Sequence, residues 1–205
     1  MFKSYRNWLN EGYVQDVKKE DIFSKDYDEN IRNYVADNEA MAYAYKYENN
    51  IEGEDSEIVE TEDFKKWMEY ELENRFNEIK FKLENLSKNG LIKIWREMTV
   101  KDNWFEHLQK QGNRLGIYWS YDKNAAEPHW GYNNEEKTID VLIESSVNVK
   151  YINWLDTIKA HMMISTGDEE KEIRLFKNTP LKIERLWIDL EEKDISSLKN
   201  KIFKA

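Results

Sequence analysis

The sequence predicts an α+β protein, in which a helical N-terminal region (residues 1–88) is followed by a β-rich region (residues 89–205). Up to about residue 90, apolar residues recur every three or four positions, as in helices; after that they alternate with polar ones in short runs, as in strands. Eight Trp, twelve Tyr and eight Phe supply large apolar side chains for a core, although 35% of the residues are charged. We therefore expect a folded protein with a very polar surface.

The clearest helical signal in the first half begins at Phe64. Thr61 stands in the N-cap position before it, and the Asn89–Gly90 pair is expected to end the helix. Weaker helical spacing surrounds Tyr5 and Ile31 and includes the run "AMAYAYKY", which is followed by the expected acidic loop "ENNIEGEDSEIVE". The apolar stripe of the main helix consists of Phe64, Met68, Leu72, Phe76, Ile79, Leu83 and Leu86.

The second half reads as strands joined by short helices and turns. The run "LIKIWREM" predicts a strand with Ile92, Ile94 and Arg96 on one side. Short helices are expected around Trp104, after "LGIYWS" and in "WLDTIKAHM", and the tail "SSLKNKIFKA" is expected to be a solvated terminal helix. The other predicted strands are "LGIYWS", "TIDVLIES", "VNVKYI", "KEIRLF" and "LKIERLWI".

Charge and composition narrow the classes of function. A net charge of −10 disfavours binding to nucleic-acid backbones, which depends on Lys and Arg neutralising phosphates. The absence of cysteine excludes disulfides and thiolate chemistry, and the three His lie far apart in sequence, so no metal site is expected. No stretch resembles a signal peptide or a membrane span, so we expect a cytoplasmic protein without a membrane partner.

An acidic pair at Glu170 and Glu172 is the strongest candidate for chemistry. Glu-x-Glu occurs five times in the chain, but only this copy leads into a strand-like run, "IRLF". Residues two apart on a strand point to the same side, so both carboxylates are expected to face one cleft. Paired carboxylates stabilise an oxocarbenium-like centre and handle a nucleophile in glycoside-type chemistry. The alternative is a solvated acidic surface, which is the usual explanation of such a pattern.

Three motifs in the second half, taken in order, are similar to those of a known family. They are "IWREM" with Arg96, "LGIYWSYD" with Ser120, and "EKEIRLF" with Glu170 and Glu172. Residues 88–192 thereby resemble the ADP-ribosyltransferase fold of the arginine, serine and Glu-x-Glu type. The resemblance implies a small split β-sheet core that uses NAD as co-substrate. One departure is that the family's Ser-Thr-Ser is here Tyr-Trp-Ser-Tyr, which leaves one hydroxyl in place of three.

The resemblance implies a set of residues that bind NAD. Arg96 would hold the pyrophosphate, because a planar guanidinium matches phosphate oxygens bidentately. Tyr118, Trp119 and Trp130 are candidates to lie beside the cationic nicotinamide ring. The alternatives stay open: an arginine at a strand end often forms a surface ion pair, and aromatic residues at such positions are often part of the core.

The resemblance also implies catalytic roles. Glu172 would stabilise the positive charge that develops on the ribose and hold its 2′-hydroxyl, while Ser120 would brace the acidic residue or the nicotinamide amide. Glu170 would orient the acceptor, and in this family a Glu at that position accompanies arginine acceptors. The implied partner is a target protein whose identity the sequence does not give.

Three hypotheses follow from the sequence. The first is a mono-ADP-ribosyltransferase that modifies a protein, of the kind found in phage or as toxin-like enzymes. The second is a binding or inhibitory protein that keeps the fold but has lost turnover, which the reduced serine motif allows. The third is a helical interaction protein, for which Arg96, Ser120 and Glu172 would be scattered over the surface.

Overall fold

The computed structural model of the chain describes residues 14–18, 39–110, 112–126, 138–162, 171–198 and 201–205. The helices predicted around Tyr5 and Ile31 lie outside these residues. The described α-helices are α1 (Glu39–Asn49), α2 (Asp55–Ile58), α3 (Glu62–Leu86), α4 (Trp104–Lys110), α5 (Lys123–Ala126) and α6 (Trp154–Met162). The described strands are β1 (Leu91–Lys101), β2 (Tyr118–Ser120), β3 (Thr138–Asn148), β4 (Glu172–Arg174), β5 (Pro180–Leu181), β6 (Arg185–Ile188), β7 (Glu191–Glu192) and β8 (Phe203–Lys204).

The long helix α3 forms where the apolar stripe predicts it. Its N-cap is Thr61, whose side-chain oxygen accepts a hydrogen bond from the backbone N of Phe64 at 3.2 Å. Glu62 and Asp63 lie in the first turn, where negative charge stabilises the helix dipole. The predicted helix and its cap are thus confirmed. Its buried residues are Phe64, Met68, Leu72, Phe76, Ile79 and Leu83.

The end of α3 corrects the sequence prediction. The C-cap is Ser87, before the Asn-Gly pair is reached. Asn89 (φ 54°) and Gly90 (φ 74°) instead form the tight turn between Lys88 and Leu91, whose backbones exchange two hydrogen bonds. Positive φ at both central residues is what an Asn-Gly turn provides. The pair therefore leads into the sheet and does not end the helix.

The main sheet has six strands in the order β4-β2-β1-β3-β6-β7, and each neighbouring pair is antiparallel. Its centre is the long β1–β3 pair, in register from Leu91 opposite Asn148 to Lys101 opposite Thr138. A second sheet pairs β5 with β8. Of the three strands that carry the family-like motifs, β2 therefore lies between β4 and β1.

The two faces of the main sheet differ in character. One face contributes buried residues such as Ile94, Ile143 and Ile173 to the same apolar cluster as the buried side of α3. The opposite face carries a cross-strand row in which each residue lies directly across from the next. The row consists of Glu172, Ser120, Trp95, Glu144 and Arg185. Directly opposed residues share a face, so this row gathers polar side chains on one side of the sheet.

Three local predictions are corrected by the structure. The run "VNVKYI" is not a separate strand, because β3 continues to Asn148 and a 3-10 helix follows at Val149–Tyr151. The acidic loop contains the short helix α2. The tail is not a solvated helix: Phe203 in β8 is fully buried and pairs with Leu181 of β5. The lysine-rich composition of the tail concealed its buried apolar residues, Leu198, Phe203 and Ala205.

The predicted α+β class is confirmed as a mixture of helices and a mostly antiparallel six-stranded sheet. The boundary near residue 88 stays a prediction, and α3 on its N-terminal side shares its apolar cluster with the sheet. Among the described helices, none has both the length and the apolar character that crossing a bilayer would require.

Candidate functional site

The site forms where β4, β2 and β1 lie side by side. Ser120 on β2 is directly opposite Glu172 on β4 and, on its other side, directly opposite Trp95 on β1. Arg96 is the next residue along β1. Residues from three separate segments of the sequence therefore lie together near the β4 edge of the sheet.

The Glu172 carboxylate is largely buried and bound to a neighbour on its own strand. Its side chain is 12% exposed, and its Oε1 accepts a hydrogen bond of 2.6 Å from Nε of Arg174. The backbone oxygen of Glu172 also accepts a hydrogen bond, at 2.7 Å, from Nε2 of the buried His161 on α6. The ring of His161 stacks on Tyr121, which directly follows β2. The start of β4 is thus fixed from the helix side as well as from β2.

Ser120 is buried at the end of β2 and faces the same side of the sheet as Glu172. Its Oγ accepts a hydrogen bond from the backbone N of Asp122 at 3.1 Å. The same hydroxyl lies 2.9 Å from the carbonyl oxygen of Asp122 and 3.4 Å from that of Lys171. It therefore links the end of β2 to the residue immediately before Glu172.

The Arg96 guanidinium lies between β1 and β2. Arg96 lies directly opposite the buried Ile143 of β3, so its Cβ is on the core side with Ile94, as predicted. Its Nη1 donates to the backbone oxygen of Tyr118 at 2.6 Å. Among the described residues, β1 and β2 pair through Trp95 and Ser120 alone. Beyond this pair, the Arg96 side chain joins the two strands where a backbone hydrogen bond would otherwise do so.

Two further observations define the surroundings of Arg96. A Cβ built on Gly116 would lie 2.9 to 3.0 Å from the guanidinium atoms, so this glycine lets the backbone approach the charged group. The Nε of Arg96 is buried and has no hydrogen-bond partner among the described residues. Burial lowers the pKa of Arg96, and interactions with the ionised form of Tyr118 and with the Glu172 carboxylate oppose that effect. The guanidinium stays protonated at neutral pH.

Tyr118 and Arg174 form the exposed side of the site. The Tyr118 side chain is 50% exposed, and the Arg174 guanidinium carbon lies 5.1 Å from the centre of its ring. Burial is the largest single influence on the pKa of Arg174 and lowers it. The hydrogen bond and charge of Glu172, with smaller contributions from Tyr118 and Asp156, outweigh burial and raise that pKa. Tyr118 therefore has one guanidinium at its backbone oxygen and another at its ring.

The structure does not bring every predicted site residue to this place. Trp119 is 2% exposed and belongs to the apolar core, on the face opposite to Ser120, where its Nε1 donates to the backbone oxygen of Gly116 at 2.9 Å. It packs on the core side of β2 and is not available to stack on a ligand. Trp130 and Glu170 lie outside the described residues.

The backbone at Lys171 changes the interpretation of the acidic pair. β4 begins at Glu172, and Lys171 has a φ of 50° in the left-handed region. Strand alternation, which predicted a common side for Glu170 and Glu172, therefore does not extend back past Glu172. The carbonyl oxygen of Lys171 accepts a hydrogen bond from the backbone N of Tyr121 at 3.0 Å, which ties this conformation to β2.

Sequence reasoning missed four residues that shape the site. Arg174 is two residues from Glu172, so the alternation rule applied to "EIR" would have placed it on the same side. Gly116 is a lone glycine before a strand, which often marks a close backbone approach. His161 had no local signal, because the three His lie far apart in sequence. Glu144, a buried carboxylate bound by Lys93, had no local signal because its register is set by the long β1–β3 pair.

The arrangement can bind an anion and stabilise a cation at neighbouring positions. Two guanidinium groups are suited to phosphate oxygens, and the Glu172 carboxylate is suited to a positively charged carbon. Comparison of the chain with protein-family models, curated proteins and solved structures gives no significant match. Function therefore has to be inferred from the geometry of these side chains.

Proposed function

We propose that the protein is a mono-ADP-ribosyltransferase that cleaves NAD and transfers ADP-ribose to a protein side chain, with arginine as the acceptor. One observation carries the proposal: Arg96, Ser120 and Glu172 come from distant parts of the sequence and lie on three adjacent strands. Their adjacency is an argument against the third hypothesis, in which these residues would be scattered over the surface. The order of the motifs along the chain, described above, supports the same conclusion.

The chemistry assigns a role to each side chain. The bond between the ribose C1′ and the nicotinamide nitrogen breaks, and its electron pair goes to nicotinamide. Positive charge then develops on the ribose, and the fixed carboxylate of Glu172 stabilises it more than it stabilises the ground state. A nitrogen of the acceptor forms the new bond to C1′ and loses a proton. Arg96 holds the pyrophosphate, and Ser120 keeps the strand that carries Glu172 in register.

Partial burial suits this role for Glu172. A carboxylate that is 12% exposed is screened little by water, so its field acts strongly on a nearby developing charge. The neighbouring hydrogen bonds to the backbone of Glu172 and Lys171 limit movement of the strand. Such preorganisation is the usual source of electrostatic stabilisation in enzymes.

A second function is favoured by a specific contact. The Arg174 guanidinium occupies Oε1 of Glu172, which is the group that turnover requires. A protein that binds NAD or a partner without turnover, as in the second sequence hypothesis, would retain such a contact permanently. The two functions differ in whether nicotinamide is released.

The proposal is tested by transfer of labelled ADP-ribose from NAD to a small guanidine acceptor such as agmatine, and to proteins of a cell extract. Wild type is compared with Glu172→Gln, and we expect the substitution to lower the rate by at least about 100-fold, as for loss of one electrostatic catalytic group. Glu191→Gln is the matched control, because Glu191 pairs with Lys193 at the opposite edge of the same sheet. Equal rates for wild type and Glu172→Gln would refute the assignment of Glu172.

A further inference from the structure

Two arginines converge on one tyrosine at this site. Arg96 donates to the backbone oxygen of Tyr118, and Arg174 lies against its ring. The charge of Glu172 influences the pKa of both arginines, so the two guanidinium groups share one electrostatic environment. From the sequence, only Arg96 is expected to bind the diphosphate.

Both guanidinium groups retain donors for a ligand. Among the described residues, the direct side-chain hydrogen bond of Arg174 uses Nε and goes to Glu172. That of Arg96 uses Nη1 and goes to Tyr118; its Nε is buried, so the nitrogen of Arg96 that remains for a ligand is Nη2. A guanidinium has five N–H donors, so each group can also bind phosphate oxygens.

The ion pair between Arg174 and Glu172 can be exchanged for a ligand contact. The Arg174 side chain is 26% exposed and Glu172 is 12% exposed, so an anionic ligand can reach the arginine side of this ion pair. A diphosphate offers more negative charge than one carboxylate and two sets of oxygens for planar groups. The exchange therefore has a favourable electrostatic driving force.

We propose that Arg174 and Arg96 together bind the diphosphate of the ligand, and that binding draws Arg174 away from Glu172 and so uncovers the catalytic carboxylate. In the free protein Arg174 masks Glu172; in the complex it is a binding residue. This inference rests on the proposed function, because it takes a dinucleotide diphosphate as the ligand. It gives Arg174 a role in binding and gives a reason for the ion pair between Arg174 and Glu172 in the free protein.

The test measures dissociation constants of ADP-ribose and AMP by isothermal titration calorimetry, together with nicotinamide release from NAD, on the full chain. Loss of one charge-assisted contact corresponds to about 10- to 100-fold in affinity. We expect Arg174→Ala to weaken ADP-ribose binding by that factor and to weaken binding of AMP, which has a single phosphate, by less. Arg174→Lys keeps the positive charge but lacks the planar guanidinium that binds two oxygens at once, so it should recover part of the lost affinity.

If Arg174 masks Glu172 in the free protein, substitution of Glu172 should strengthen ligand binding, whereas substitution of Arg174 weakens it. Glu172→Gln removes the charge that holds Arg174, so ADP-ribose should bind about two- to fivefold more tightly than to wild type. Part of any gain could come simply from removing a negative charge near the diphosphate. The gain should therefore be smaller in the Arg174→Ala background, where there is no guanidinium to release. An equal gain in both backgrounds overturns the masking role.

Arg185→Ala is the matched control for charge. It removes one guanidinium from the same face of the sheet, where Arg185 pairs with Glu192 on β7. At physiological salt it should change ADP-ribose affinity by less than about twofold, because charges beyond a Debye length are screened. Unfolding midpoints of all variants show that the fold is retained, and the Arg174→Lys variant serves if Arg174→Ala is unstable.

The outcomes separate this inference from the proposed function. Binding that depends on Arg174 without nicotinamide release supports the inference and refutes the transferase. Nicotinamide release with ADP-ribose affinity unchanged in Arg174→Ala refutes the inference and leaves the transferase standing. Absence of ADP-ribose binding by wild type overturns the inference, and absence of nicotinamide release overturns the transferase.

Discussion

Replacement of Gly116 by alanine would displace the Arg96 guanidinium without removing its charge. Gly116 has a φ of 88°, and an added Cβ would lie 2.9 Å from Nη1 of Arg96. Left-handed backbone costs a residue with a Cβ about 1–2 kcal/mol, and losing the charged hydrogen bond to the Tyr118 oxygen costs about 1.5–3 kcal/mol. We expect Gly116→Ala to lower the free energy of unfolding by about 2.5–5 kcal/mol.

A double-mutant cycle separates the two contributions. In an Arg96→Ala background the steric contribution disappears, so Gly116→Ala should cost only the backbone contribution of about 1–2 kcal/mol. Gly112→Ala is the matched control, because Gly112 has a φ of 74° and nothing lies within 4 Å of its added Cβ. It should cost about 1–2 kcal/mol in either background.

The assay is urea denaturation followed by tryptophan fluorescence, with the slope compared among variants so that midpoints report stability. The same variants are titrated with ADP-ribose, and we expect Gly116→Ala to weaken binding because the guanidinium is displaced. Equal costs of Gly116→Ala with and without the Arg96 side chain would refute the close contact.

Two further predictions concern the fold and the opposite edge of the sheet. Phe203→Ala should lower the free energy of unfolding by about 3–5 kcal/mol, whereas Ile202→Ala, at a residue that is 53% exposed, should change it by less than about 0.5 kcal/mol; equal effects would support the solvated helix instead. An NMR titration should place the pKa of Glu192 below its ordinary value, because Arg185 binds its carboxylate, and Arg185→Gln should return it towards normal. Since that pKa is lowered, the pair stabilises the fold above the unfolded-state pKa, and the contribution is lost as pH falls through the folded-state pKa; an unchanged Glu192 pKa in Arg185→Gln would contradict this.

Local patterns predicted the parts of the fold whose causes are local. The stripe from Phe64 to Leu83 identified α3, and Thr61 identified its cap, because helix spacing and capping involve residues within a few positions of one another. Alternation in β1 predicted that Arg96 shares a side with Ile94. These features depend on nearby residues in the sequence and not on the residues that pack against them.

The terminal strand depended on distant partners and was missed. Phe203 is buried because β8 pairs with β5, more than twenty residues earlier in the sequence. The apolar residues Leu198, Ile202 and Phe203 are spaced in a way that also fits a helix, so the local sequence does not indicate a strand. Tertiary pairing decided the structure of this segment, and local composition did not.

The site was predicted in part for the same reason. The motifs named Arg96, Ser120 and Glu172, and the strand order places these residues on neighbouring strands. Their contacts were not predictable, because the guanidinium of Arg96 bonds to a backbone oxygen on the next strand and Glu172 is held by Arg174. The core position of Trp119 follows from the register of β2 with β4, which the sequence alone does not specify.

Nicotinamide release from NAD by the purified wild-type protein, beside Glu172→Gln, tests the central claim most directly. We predict release by wild type that increases when a guanidine acceptor is added and that falls by at least about 100-fold in Glu172→Gln. No release from the folded wild-type protein, with ADP-ribose still bound in an Arg96-dependent manner, would contradict the transferase and identify a binding protein.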